Sequence, residues 1–227
     1  MVARIGVVLF PGSNCEQDVC EVVRQLGGEA EILWHGDSSL GGADAVVVPG
    51  GFAHGDYLRP GAIARFSPVM GAVEKFAVDG GPVVGICNGF QVLTEAGLLP
   101  GALQKNAGLS FLCKTVELRV ETDRSVLTSG VAPGSILRIP INHFEGNYTC
   151  SPDALDQLRA DDRVVFRYVD NPNGSVDDIA GICNENRNVV GLMPHPERAC
   201  HELLGSTDGI PLVQSLLDVA SRGAAAA

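Results

Sequence analysis

The sequence predicts an α/β fold: a doubly wound, mostly parallel sheet flanked by helices, with additional antiparallel strands in its second half. Three observations lead to this. Apolar, largely β-branched runs at 4–10, 31–34, 44–48 and 82–86 alternate with helical patterns, the rhythm of parallel strands joined by crossover helices. The pairs Gly27-Gly28 and Gly80-Gly81 stop the intervening helices, and Pro49-Gly50-Gly51 breaks the chain directly after a strand. Beyond residue 110, further strand-like runs at 114–120, 136–139, 164–169, 179–183 and 189–193 are separated by turn clusters.

In order, the first strand runs from Arg4 to Phe10 and ends in the turn Pro11-Gly12-Ser13. Asn14, with Gln17 three residues on, has the spacing of a capping box for a helix reaching Leu26. Strands over 31–34 and 44–48 follow. Ser67-Pro68 supplies an N-cap and a proline at the first helical position for a helix to Val78. The fourth strand leads into a helix over 88–96, closed by Gly97. Residues 98–110 read as a connecting loop, and an amphipathic helix over 210–220 ends the pattern. One domain over residues 1–222 is expected, with 223–227 as a disordered tail.

Composition narrows the function. Sixteen basic against twenty-seven acidic residues leave a net charge of −11, which disfavours nucleic-acid or anionic-membrane partners. No run is long and apolar enough to span a bilayer, and Met1–Arg4 lacks a signal-peptide layout. Seven cysteines, odd in number and without a C-x-x-C pair, suggest neither a disulfide framework nor a zinc ribbon. A cytoplasmic protein is expected.

Three strand ends carry chemistry. Gly85-Ile86-Cys87-Asn88-Gly89-Phe90-Gln91 has the strand–turn–helix spacing of a nucleophile elbow, with Cys in place of Ser. Glycines two before and two after keep Cβ atoms away from a sharply turned nucleophile. A thiol at a helix N-terminus also meets the positive end of the helix dipole. The bland alternative is a buried core cysteine. Gly50-Gly51 lies at the carboxyl end of a parallel strand, where ligands bind in open α/β sheets, although it also suits an ordinary turn. Neither phosphate-loop fingerprint occurs. Met193-Pro194-His195-Pro196-Glu197 places a histidine and a carboxylate on one stiffened loop, as a base and its orienter need, although on its own it also suits a solvent-facing loop with a chance histidine. His-x-Glu also opens a zinc deaminase signature, but the required Pro-Cys-x-x-Cys is absent. Converging at one sheet edge, these residues would make Cys87 the nucleophile, His195 the base and then acid, and Glu197 the orienter. The N–H groups of Gly51 and Asn88 would receive an oxyanion, and Gln91 could hydrogen-bond a polar substrate.

At 49–51, 85–91 and 193–197 the chain resembles the class I, triad-type glutamine amidotransferases. Over PGSNCEQD (11–18), GGFAHGDYLRPGAIAR (50–65), GLLPGALQKN (97–106), INHFEGNY (141–148), NPNGS (171–175) and MPHPERA (193–199) it is similar to the glutaminase subunits of phosphoribosylformylglycinamidine synthases. His54 and Phe144 depart from that family's pattern. The resemblance implies glutamine hydrolysis through a thioester at Cys87, with Gly51, Asn88 and Gln91 at oxyanion and glutamine-binding positions. Ammonia would pass to a separate ATP-dependent large synthetase subunit, often accompanied by a small accessory subunit, in purine biosynthesis. No cofactor or metal is expected on this chain. The start of the first helix (14–18) and the 143–148 loop are candidate docking surfaces, although simple capping and loop packing would account for both. Two other readings keep the fold: a stand-alone cysteine hydrolase acting on glutamyl substrates, and a non-catalytic binding module.

Overall fold

The structure, a computed structural model, describes residues 2–224, the last by its backbone alone. Eleven strands and five α-helices follow one another in the described chain. β1 (Arg4–Leu9), α1 (Glu16–Gln25), β2 (Glu29–Trp34) and β3 (Ala45–Val48) come first. α2 (Pro68–Val78), β4 (Val83–Ile86) and α3 (Asn88–Glu95) complete the parallel part together with the late strand β11 (Val189–Leu192). Between them lie β5 (Ala102–Gln104), β6 (Leu112–Val120), β7 (Ile136–His143), β8 (Asn147–Thr149), α4 (Pro152–Ala160), β9 (Val164–Tyr168) and β10 (Ile179–Cys183). α5 (Ile210–Ala224) closes the described chain.

Nine strands form one sheet in the order β2-β1-β3-β4-β11-β10-β9-β6-β7. The first five are mutually parallel and the rest continue antiparallel. β3, β4 and β11 are buried at every residue, as strands covered on both faces must be. That explains their unbroken valine-rich runs. α1 and α5 pack on each other and on β1, and α3 packs on β3, β4 and β11. The antiparallel half curls back, so that β7, the far edge strand, returns to the parallel half: the His195 N–H donates to the Pro140 carbonyl at 2.9 Å.

The chain leaves β1 outward to β2, then crosses back to β3. The switch point therefore lies between β1 and β3, where the crevice outside the strand ends forms. Register keeps those ends level. Val48 pairs with Gly85, and Ile86 with Leu192. Gly50, Cys87 and His195 thus emerge at one edge.

Four expectations need correction. The Asn14–Gln17 capping box does not form: Cys15 is the N-cap of α1 and makes no side-chain cap bond. The N–H groups of Asn14 and Cys15 cross instead to the Gly50 carbonyl at 3.4 and 3.3 Å, so tertiary contacts take the donors a cap would have used. The 98–110 segment contains β5, a three-residue strand paired with β8. α4 lies where no helix is expected, although Ser151-Pro152 repeats the Ser67-Pro68 signal and the Ser151 hydroxyl accepts from the Ala154 N–H at 3.2 Å. Gly223 and Ala224, expected in a disordered tail, belong to α5; Met1 and residues 225–227 lie outside the described residues. No helix among the described residues is long and apolar enough to cross a membrane.

Candidate active site

Cys87 is the N-cap of α3, at φ 51° and ψ −106°. A non-glycine residue in such a conformation stores about 1–3 kcal/mol of strain and persists only where its surroundings hold it. Here its N–H donates to the Leu192 carbonyl at 2.8 Å, locking the elbow to the end of β11. Its sulfur lies 3.7 Å from the Asn142 carbonyl. The glycine spacing has a steric cause. A Cβ at Gly89 would stand 1.8 Å from the Val48 carbonyl oxygen, and one at Gly85 would stand 2.7 Å from the Gly89 backbone. Gly89→Ala must therefore push α3 away from β3. We expect a loss of about 3 kcal/mol or more, read as a fall in Tm of roughly 6–12 °C. An unchanged Tm would show that the close approach is not needed.

His195 and Glu197 form a buried pair, with Nδ1 and Oε1 2.6 Å apart and about 1% and 3% of each residue exposed. Burial opposes a charge on the ring, but the Glu197 carboxylate and the nearby Cys87 and Cys15 side chains outweigh it and raise the His195 pKa well above its ordinary value. Nε2 meets no hydrogen-bonding nitrogen or oxygen among the described residues. The ring is also close to the elbow: a Cβ on Gly50 would lie 2.7 Å from His195 Cε1 and 3.5 Å from Cys87 Cβ.

Cys87, His195, Gly51 and Gln91 all line one small cavity. Gly51 has φ 147°, and a Cβ there would strike Ser13 and Asn14, so a side chain is excluded where the backbone must turn. Neither the Gly51 nor the Asn88 N–H meets an acceptor among the described residues, the state an oxyanion receptor requires. The Gln91 side chain is held on both sides. Its Oε1 accepts from Asn88 Nδ2 at 2.8 Å and its Nε2 donates to the Glu145 carbonyl at 2.5 Å. A larger open groove of about 720 Å³ reaches His195 and Glu197 from the α1 side, without Cys87 in its wall.

Several residues of the cavity escaped the sequence. Cys15 places its sulfur within 4.8 Å of ligand atoms of both His195 and Glu197, and Arg198 donates to it at 3.3 Å. Its position after β1, at the same sheet edge, was the available signal. Asn142, His143 and Glu145 arrive on the returning β7 and the loop after it. His143 Nδ1 lies 3.1 Å from Asn106 Oδ1, and burial together with nearby His195 pushes its pKa down to about 4. Of the two departures, Phe144 lines the cavity. His54 turns away, edge-on to His35 at 5.1 Å and beside Ser67. In the two expected docking segments Asn14 and Gln17 are exposed, while other residues make internal contacts. Asp18 pairs with Arg198 at 2.9 Å, and Tyr148 is buried and stacked on Phe90.

The profile of the CobB/CobQ-like glutamine amidotransferase domain matches residues 2–208. The chain belongs to this family. Among its relatives is the phosphoribosylformylglycinamidine synthase subunit PurQ of Rubrobacter xylanophilus, 58% identical over 214 residues, spanning 94% of this chain and 97% of the relative. The subunit of the same name from Koribacter versatilis is 54% identical over 224 residues, with the same coverage. A chain in the structure of PurLQS from Thermotoga maritima superposes with a TM-score of 0.89 at 43% identity, covering 96% of this chain and 99% of that one. The elbow, the Gly51 turn and the His195–Glu197 pair are thus features of a glutamine amidotransferase fold.

Proposed function

We propose that this chain is the glutaminase subunit of a phosphoribosylformylglycinamidine synthase, working in the cytoplasm beside a separate ATP-dependent synthetase subunit and a small accessory subunit. The observation that carries the reading is the meeting of Cys87 and His195 in one cavity, with Glu197 paired to the ring behind it. The relatives named above supply the assembly and the pathway.

The chemistry follows from the electrostatics. A thiolate formed at Cys87 has the His195 imidazolium beside it, held in its charged form by Glu197. The sulfur attacks the side-chain amide carbon of glutamine. The carbonyl oxygen, now an oxyanion, takes hydrogen bonds from the Gly51 and Asn88 N–H groups, each worth about 3 kcal/mol in the transition state. His195 then gives its proton to the departing nitrogen, the C–N bond breaks, and ammonia leaves a glutamyl thioester on Cys87. The neutral ring next takes a proton from water, which attacks the thioester; glutamate departs and the thiol is restored. His195 therefore serves as base in forming the thiolate, as acid toward the departing nitrogen, and as base again toward water before its proton returns to the sulfur. ATP and the ammonia acceptor belong to the synthetase partner, and this chain needs no cofactor of its own.

A glutamine-like chloroketone tests the reading directly. It should alkylate Cys87 alone among the seven cysteines and be blocked by glutamine, as peptide mass mapping reads out. Even labelling across the cysteines would reduce the cavity to inert packing. Glutamine hydrolysis should also quicken when the synthetase subunit and its ligands are added; full turnover without them would mark a stand-alone hydrolase.

A further inference from the structure

The loop after β3 is bent in an unusual way. His54, Gly55, Asp56 and Leu58 all take positive φ angles, at 53°, 70°, 52° and 70°. Three of these are not glycine, so the surrounding structure must hold them there. The bend brings the Asp56 carboxylate to Asn88 Nδ2, at 3.1 Å. Asn88 is the residue after Cys87, and its Oδ1 accepts the Ala53 N–H at 3.0 Å, fastening the same loop. One amide side chain therefore joins Asp56, Gln91 and the elbow.

Asp56 makes no ion pair among the described residues, and no lysine or arginine lines the cavity it faces. Burial, with Glu145 as a further neighbouring carboxylate, pushes the Asp56 pKa up to about 6 against the pull of its bond from Asn88. Asp56 is half-buried, and an anion partly withdrawn from water without a cation carries a cost. The same cavity holds two buried ring nitrogens that meet no nitrogen or oxygen partner among the described residues, Nε2 of His195 and Nε2 of His143. The site thus presents a reaction end at Cys87 and His195, and a negative end at Asp56 and Glu145.

We infer that Asp56 is the receptor for the α-ammonium group of the amino-acid substrate, with Glu145 reinforcing its charge. The inference rests on the glutaminase reading and deepens it. Glutamine carries its reactive amide two methylenes from the carbon that bears the ammonium. An anion joined to the elbow through one intervening side chain is placed to hold that group while the amide meets the thiol. Asp56 then selects free α-amino acids over amides that lack the ammonium, such as 4-carbamoylbutanoate.

The test compares kcat/KM for glutamine and for 4-carbamoylbutanoate in the assembled complex with its synthetase partner. Asp56→Asn keeps an oxygen to accept from Asn88 but removes the charge. The glutamine preference should fall about 10- to 100-fold, mainly through KM for glutamine. Asp56→Glu, which keeps the charge, should retain most of the preference. Asp56→Ser is the second neutral variant should Asn disturb assembly. A neutral variant that loses activity on both substrates equally, or keeps the preference, overturns the assignment and leaves the glutaminase reading standing. A wild-type complex that hydrolyses neither amide overturns both.

Discussion

Cys87→Ala is expected to lower glutamine-dependent synthesis by the assembled enzyme on the order of 10⁴-fold or more, while synthesis from added ammonium salt continues near the wild-type rate. The two halves of this result have separate physical causes. Without the sulfur no thioester forms, and the oxyanion donors have nothing to stabilise. The fold, by contrast, loses little. Cys87 is about 5% exposed and contributes one sulfur to the core, while the elbow itself is held by the backbone bond to Leu192 and by the fit of Gly89 beneath β3. Alanine at φ 51° carries the same kind of strain that cysteine does. Ammonia made elsewhere therefore still meets an intact synthetase. Loss of both activities, with loss of the complex on gel filtration, would assign Cys87 to folding instead.

What could be read from the sequence, and what could not, divides by the range of the forces involved. Local chemistry was legible. The Ser67-Pro68 start of α2, the strand-to-helix spacing around Cys87 and the two prolines flanking His195 each act within a few residues, and the structure places them as the spacing requires. The parallel half was legible because strands buried on both faces leave continuous apolar runs. Contacts made across the fold were not. Asn142, His143 and Glu145 reach the cavity only because the antiparallel strands curl β7 back against His195. No periodicity in 112–143 encodes that return. Asn14 shows the same limit from the other side: a sound local capping signal yields to a backbone bond with Gly50, thirty-six positions away. Asp56 carries no local signal of its own; its importance comes from a run of positive φ angles and from Asn88.

His195→Ala should match Cys87→Ala in glutamine-dependent activity, whereas Glu197→Gln should lose less, roughly 10²- to 10⁴-fold. Alanine at 195 removes both the acid for the departing nitrogen and the base for water. Glutamine at 197 leaves the ring in place, but removes the carboxylate 2.6 Å from Nδ1 that favours the charged form. The ring then keeps burial against its charge and only the Cys87 and Cys15 side chains in favour of it, so its pKa falls from the wild-type value and the imidazolium needed for ammonia release becomes scarcer. The same shift has a signature in stability. In the wild type the raised pKa means that the folded state binds the proton more tightly. That contribution is fully present below the unfolded value of about 6.5 and is lost as pH rises through the higher folded value. In Glu197→Gln the folded value is lower, and that contribution shrinks with it. The gap in Tm between the two proteins should therefore widen from the alkaline side down to about pH 6. A gap that stays constant over that range, or equal activity losses at 195 and 197, would show that the carboxylate does not set the charge on the ring.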